Sequence, residues 1–120
     1  MGSVRILVDD VDEAIAAFEA AGYALVERPG PPFALLSGNG SDLWISGPGS
    51  SAARVTAQLP AGEAPRASTR AVLEVDDLDS TIAELLAAGW MHAAGPVSGP
   101  GGTQQLLRSG GAYLEIFAAA

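Results

Sequence analysis

The side chains available for chemistry in this sequence form a short list. Its 120 residues include no cysteine, one histidine (His92) and no lysine, so all six basic residues are arginine. Thiolate nucleophiles, disulfides and Cys-ligated metals are excluded. A single imidazole rules out multi-His metal centres and most Ser/His or Cys/His triads. Without lysine there is no Schiff-base chemistry and no phosphate-loop lysine. Carboxylates, arginines, hydroxyls and aromatics remain, groups that pair charges, donate hydrogen bonds and stack on flat ligands. His92, set among Ala and Met, reads as a surface or hydrogen-bonded structural residue, because one ligand of one type is weak support for a metal.

The 14 acidic residues against six basic ones give a net charge of −8 and a pI near 4.3. Seven of the acids (Asp9, Asp10, Asp12, Glu13, Asp76, Asp77, Asp79) fall in two clusters, each just ahead of an Ala-rich periodic segment. Carboxylates there cap helix N-termini and oppose the positive end of the helix dipole. The charge therefore says little about a cationic partner, but it argues against nucleic acid, which needs a basic face. No apolar run approaches the ~18–20 residues of a membrane span, and no charged leader precedes an apolar stretch. The expectation is one cytoplasmic domain with no membrane partner.

An internal repeat organises the chain. Shifting the sequence by 67 places lays Val8-Asp9-Asp10-Val11-Asp12 on Val75-Asp76-Asp77-Leu78-Asp79, and Ala20-Ala21-Gly22-Tyr23 on Ala87-Ala88-Gly89-Trp90. Nine of the 21 positions from Ser3 to Tyr23 are identical without a gap, far beyond what a shared Ala-rich composition produces. Each copy reads as strand, helix and three strands. Val4, Ile6 and Val8 alternate with Ser3, Arg5 and Leu7, the period of a half-buried strand. Asp10 is the expected N-cap, with Glu13 at N3, Val11, Ile15 and Phe18 as the apolar stripe and Gly22 as the stop. Asp77, the stripe Leu78, Ile82, Leu85 and Leu86, and Gly89 repeat that pattern. Three strand candidates follow each helix, at 23–27, 33–37 and 42–46, then at 90–94, 103–108 and 112–117. Module 1 spans 1–47 and module 2 spans 68–120. Between them, residues 48–67 read as a linker with a short strand at 54–58, and 95–102 reads as a sharply bent loop over a cavity.

Two βαβββ units, each opening with an apolar strand that runs into V-x-D-(V/L)-D, resemble the vicinal-oxygen-chelate superfamily. Glyoxalase I, extradiol dioxygenases, fosfomycin-resistance enzymes and bleomycin-resistance proteins belong to it. The closing Gly111-Ala112-Tyr113-Leu114-Glu115-Ile116-Phe117 segment strengthens the resemblance, which covers nearly the whole chain. It implies an α+β fold, with tandem modules forming a curved eight-stranded mixed sheet and helices on the outside. Metal-dependent members of that superfamily place ligands on the first and last strand of each module. Those positions fall here on Ser3, Trp44, Arg70 and Glu115. Only Glu115 binds a divalent cation well, since arginine stays protonated and the indole is a donor only. Catalytic divalent sites need about three protein ligands. No metal and no cofactor are therefore expected.

If those four residues face a cleft, strand alternation adds Arg5, Leu7, Asp42, Ser46, Val72, Glu74, Tyr113 and Phe117 to its lining. The opposite face (Val4, Ile6, Val8, Leu43, Ile45, Ala71, Leu73, Val75, Leu114, Ile116) should pack under the helices, and Trp90 beneath the second of them. The buried charges should pair as Arg70–Glu115 and as Arg5 with Asp42 or Glu74, with Trp44, Tyr113 and Phe33 as stacking surfaces. The composition hints at a high-GC, actinobacterial genome. The favoured function is a metal-independent binding protein of the bleomycin-resistance type, holding a planar or aromatic small molecule such as an antibiotic or other natural product. The alternative is a metal-free isomerase, lyase or cyclase with Glu115 or Glu74 as general base and Arg70 stabilising an oxyanion. Exposed sheet edges predict a homodimer.

Overall fold

The computed structural model describes residues 2–120. Eight strands form one open mixed sheet in the order β2-β3-β4-β1-β5-β8-β7-β6. The strands of module 1 are β1 (Gly2–Leu7), β2 (Ala24–Gly30), β3 (Phe33–Gly38) and β4 (Ser41–Ser46). Those of module 2 are β5 (Thr69–Glu74), β6 (Met91–Gly99), β7 (Gly102–Ser109) and β8 (Ala112–Ala119). Each module pairs its first strand parallel to its last, and the modules join where β1 runs antiparallel to β5.

The duplicated junction folds the same way twice. Helix α1 (Val11–Ala20) starts at Asp10, whose Oδ1 accepts from the Glu13 N–H at 3.0 Å. Helix α4 (Leu78–Ala87) starts at Asp77, which accepts from the Ser80 N–H at 3.1 Å. Each cap satisfies a backbone donor that the helix leaves without a partner. Gly22 and Gly89 follow the two helices at φ +100° and +109°, a left-handed conformation that a side chain would strain. Val11 and Ile15 pack on Ala34, Leu36, Leu43 and Ile45 of β3 and β4, whereas Ile82 packs on Leu107 and Ile116 of β7 and β8. Trp90 joins that second cluster, as the repeat predicts.

The sheet has a second covered area, on the other face. Residues 51–56 form a helix, α2 (Ser51–Thr56), instead of the expected strand at 54–58, and α3 (Ala64–Ala67) follows. Ser50 caps α2 through its hydroxyl, which accepts from the Ala53 N–H at 3.1 Å. This cap after a Gly/Pro turn outweighs the β-branched Val55-Thr56 pair. Val55, Leu59 and Ala67 pack on Ala94, Val97, Leu106 and Tyr113, on the side of β6–β8 opposite α4. Only α1 and α4 lie outside in the expected sense.

Two further expectations are corrected. Strand β6 runs on through Gly95 and Pro96 to Gly99, and register shifts on either side of Ala94 absorb the bend expected for a loop at 95–102. Ala71 and Leu73 do not pack under a helix: Leu73 is 41 % exposed, as is Leu86 at 43 %. Helix α1 covers β2–β4, with Val4 and Ile6 of β1 packed at the margin of its cluster, and α4 covers β8, so β5 between them stays open on that face.

Candidate functional site

The face of the sheet away from α1 and α4 carries the residues singled out above. Register places Arg5 of β1 opposite Trp44 of β4 on one side and opposite Arg70 of β5 on the other. Glu115 of β8 stands opposite Val72, one alternation along β5 from Arg70. Three long side chains therefore converge at the junction of the modules.

Glu115 is fully buried, and Arg5 and Arg70 are nearly so. Arg5 donates to both Glu115 oxygens, from Nε at 3.1 Å and Nη2 at 2.6 Å, while its Nη1 donates to the Ser46 hydroxyl at 3.0 Å. Arg70 donates from Nε to Glu115 Oε1 at 3.0 Å. Its Nη1 reaches the Thr56 hydroxyl at 2.7 Å and the Ala67 carbonyl at 3.0 Å, and its Nη2 the Gln104 side-chain oxygen at 3.4 Å. Burial lowers the Arg70 pKa, and the facing Glu115 carboxylate opposes that shift. Among the described residues no buried side-chain nitrogen or oxygen lacks a partner. A buried ion cluster is tolerable only when satisfied in this way.

The Arg70–Glu115 pair forms as expected. Arg5 does not pair with Asp42 or Glu74, because Glu115 lies within reach of both guanidiniums. Glu74 is exposed and Asp42 half-buried at the rim. Trp44 turns toward this face and is only 9 % exposed. The Arg5 guanidinium carbon lies 4.9 Å from its ring centroid, and Phe117 and Phe33 meet it edge-on at 5.1 and 6.3 Å. Trp44 thus plugs the floor, and the half-buried rings of Phe33 and Phe117 with Leu35 form the accessible surface. Tyr113 does not serve as a stacking wall. The linker covers its ring, and its hydroxyl donates to Glu63, which also accepts from Arg108 at 2.7 Å. Glu63 is a residue that sequence reasoning missed. No strand or helix period reaches it, and its partners lie 45 and 50 positions away. His92 is exposed, with Nε2 2.9 Å from the Gly95 carbonyl oxygen.

The four positions that could hold a metal do not fit one. Ser3 is a weak ligand, Trp44 and Arg70 offer no lone pair, and both oxygens of Glu115 already accept from guanidinium groups. No cluster of three His, Asp or Glu able to hold a metal occurs among the described residues. Glu115 is equally unsuited to proton abstraction, since no substrate atom can reach it. The two parts of the face also differ: α2 and α3 cover it over β6, β7 and the Tyr113 end of β8, while over β1, β3, β4 and the Phe117 end of β8 no helix among the described residues does. Two shallow depressions, of about 480 and 330 Å³, lie elsewhere, at the N-terminal ends of α4 and α1.

No protein-family model matches the chain, and no curated protein matches it either. Solved structures do. One described as an NAD-dependent benzaldehyde dehydrogenase from Legionella pneumophila aligns at a TM-score of 0.73 and 13 % identity, over 100 % of both chains. Methylmalonyl-CoA epimerase from Mycobacterium tuberculosis aligns at 0.63 and 20 %, over 98 % of this chain and 86 % of that one. A glyoxalase/bleomycin resistance protein/dioxygenase superfamily member from Vibrio splendidus 12B01 aligns at 0.55 and 15 %, over 98 % and 97 %. At these identities the likeness establishes the vicinal-oxygen-chelate fold, and it transfers no activity.

Proposed function

We propose that this chain, built on the vicinal-oxygen-chelate fold, is a metal-independent small-molecule binding protein that holds a planar or aromatic ligand against the module 1 half of its site face. One observation carries the reading: the linker covers β6, β7 and the Tyr113 end of β8, leaving Phe33 and Leu35 of module 1 and Phe117 at the far end of β8 as an accessible apolar surface around a Trp44 floor. Aromatic walls with a few polar groups at the rim suit flat ligands. Asp42, Ser37 and Glu74 supply those polar groups. Antibiotics and other aromatic natural products are ligands of this shape.

Binding is favoured over catalysis because the best placed carboxylate is committed. Glu115 is shared by two arginines and is sealed from solvent. Glu74 is exposed to solvent at the rim of the face. The test is a fluorescence titration with the planar probe N-phenyl-1-naphthylamine, comparing the parent protein with Phe117→Ala. Saturable binding that weakens at least several-fold in the variant supports the reading. Equal affinity in the two proteins overturns it.

A further inference from the structure

The cluster beneath the aromatic surface is not electrically neutral. Two guanidiniums share one carboxylate, and every other partner they have (Ser46, Thr56, Gln104 and the Ala67 carbonyl) is uncharged. One positive charge is therefore in excess inside the protein, despite a net charge of −8 for the chain. It lies on the ligand side: the Arg5 guanidinium is 4.9 Å from the Trp44 ring centroid and 5.8 Å from that of Phe33. A buried charge is poorly screened by salt, and its field reaches the adjoining surface at a low effective dielectric.

We infer that the open half of the site face selects aromatic anions, carboxylates, sulfonates or phenolates, over neutral compounds of the same shape. This inference rests on the binding site proposed above and adds its charge preference. The acids on that face set the orientation. Asp42 pairs in register with Ser3, toward the β1 start, and Glu74 lies beyond Val72 in the same direction. Phe33, Ser46 and Leu7 occupy the opposite end, where the nearest carboxylate on this face is Glu27, exposed on the outer strand β2 opposite Leu35. The anionic group of the ligand points to the Phe33 end, and its uncharged rings extend toward Phe117. A cation behind an aromatic ring also draws electron density from it, which favours an electron-rich or anionic partner on the accessible side.

Two fluorescent probes with one skeleton separate the possibilities: 8-anilinonaphthalene-1-sulfonate and the uncharged N-phenyl-1-naphthylamine. The expected result is saturable binding of both, with the sulfonate about tenfold tighter or more, as a unit charge a few ångströms away in a partly desolvated site requires. Phe33→Ser should weaken both. Arg70→Met, which leaves the Arg5–Glu115 pair and removes the excess charge, should weaken only the sulfonate. Equal affinities for the two probes in the parent protein overturn the charge preference and leave the binding site standing. Saturable binding of neither probe overturns both. The parent comparison decides the matter even if Arg70→Met does not fold.

Discussion

Arg5 and Arg70 face one another across the β1–β5 pairing, and neither has a carboxylate of its own. Glu115 serves both, and the two modules are joined at that point as firmly by charge as by strand pairing. Removing its charge leaves two buried guanidiniums with nothing to neutralise them. Glu115→Gln should therefore lower the unfolding free energy by about 3–5 kcal/mol in urea titration. A loss below about 1 kcal/mol would mean that the cluster is far wetter than its burial implies.

Trp44→Ala should cost about 3–5 kcal/mol, because the ring is nearly enclosed by Phe33, Phe117 and Arg5 and its removal opens a cavity. Phe33→Ala, at a half-buried ring, should cost clearly less. Denaturant midpoints of the two variants measure the difference. Comparable losses would mean that Phe33 is part of the core and does not belong to a surface kept free for a ligand.

The Glu63 contact should respond to pH at both extremes. The Tyr113 hydroxyl first, and Arg108 second, hold the Glu63 carboxyl below its usual range, and the same bond to Glu63 raises the Tyr113 phenol. A lowered carboxylate contributes stability that is present above its unfolded pKa and is lost as pH falls through the folded one. A raised phenol contributes stability that is present below its unfolded pKa and is lost as pH rises through the folded one. Urea midpoints of Glu63→Gln should therefore run closest to those of the parent at acid pH, below the ordinary carboxylate range. They should fall clearly below the parent at neutral pH. Midpoint curves that stay parallel through acid pH would remove Glu63 from the linker's attachment.

Divalent ions should leave the protein unmoved. Micromolar Zn²⁺, Ni²⁺, Mn²⁺ or Fe²⁺ should shift the melting temperature by less than about a degree, because an ion bound to the native state stabilises it by RT ln(1 + [L]/Kd). A rise of several degrees would show a site that the Arg5–Glu115–Arg70 cluster was thought to preclude.

Much of this was legible in the sequence where a local rule acts alone. The duplicated Asp caps and Gly stops locate α1 and α4, since capping depends on a few adjacent residues. Strand alternation places Arg5, Trp44, Arg70 and Glu115 on one face. Which carboxylate Arg5 chooses was not legible, because Asp42, Glu74 and Glu115 share that face and only strand order decides reach. The linker was not legible either. Its helices span six and four residues, too short to show a period, and they form because Val55, Leu59 and Ala67 bury against module 2. Tyr113 follows from that miss, as its partner Glu63 belongs to the same linker. The exposure of Leu73 depends on the gap between α1 and α4, a distance that no residue of β5 encodes.

The central claim, that a flat ligand binds without metal on the module 1 half of the site face, is tested most directly by residue-resolved NMR. Amide shifts of the ¹⁵N-labelled protein would be followed during titration with 8-anilinonaphthalene-1-sulfonate in the presence of EDTA. The expected result is saturable perturbation concentrated on Phe33, Leu35, Trp44, Ser46 and Phe117, with β6 and α2 unchanged. Perturbations that are absent, that require added metal, or that cluster on β6, β7 or the helix N-termini would contradict it.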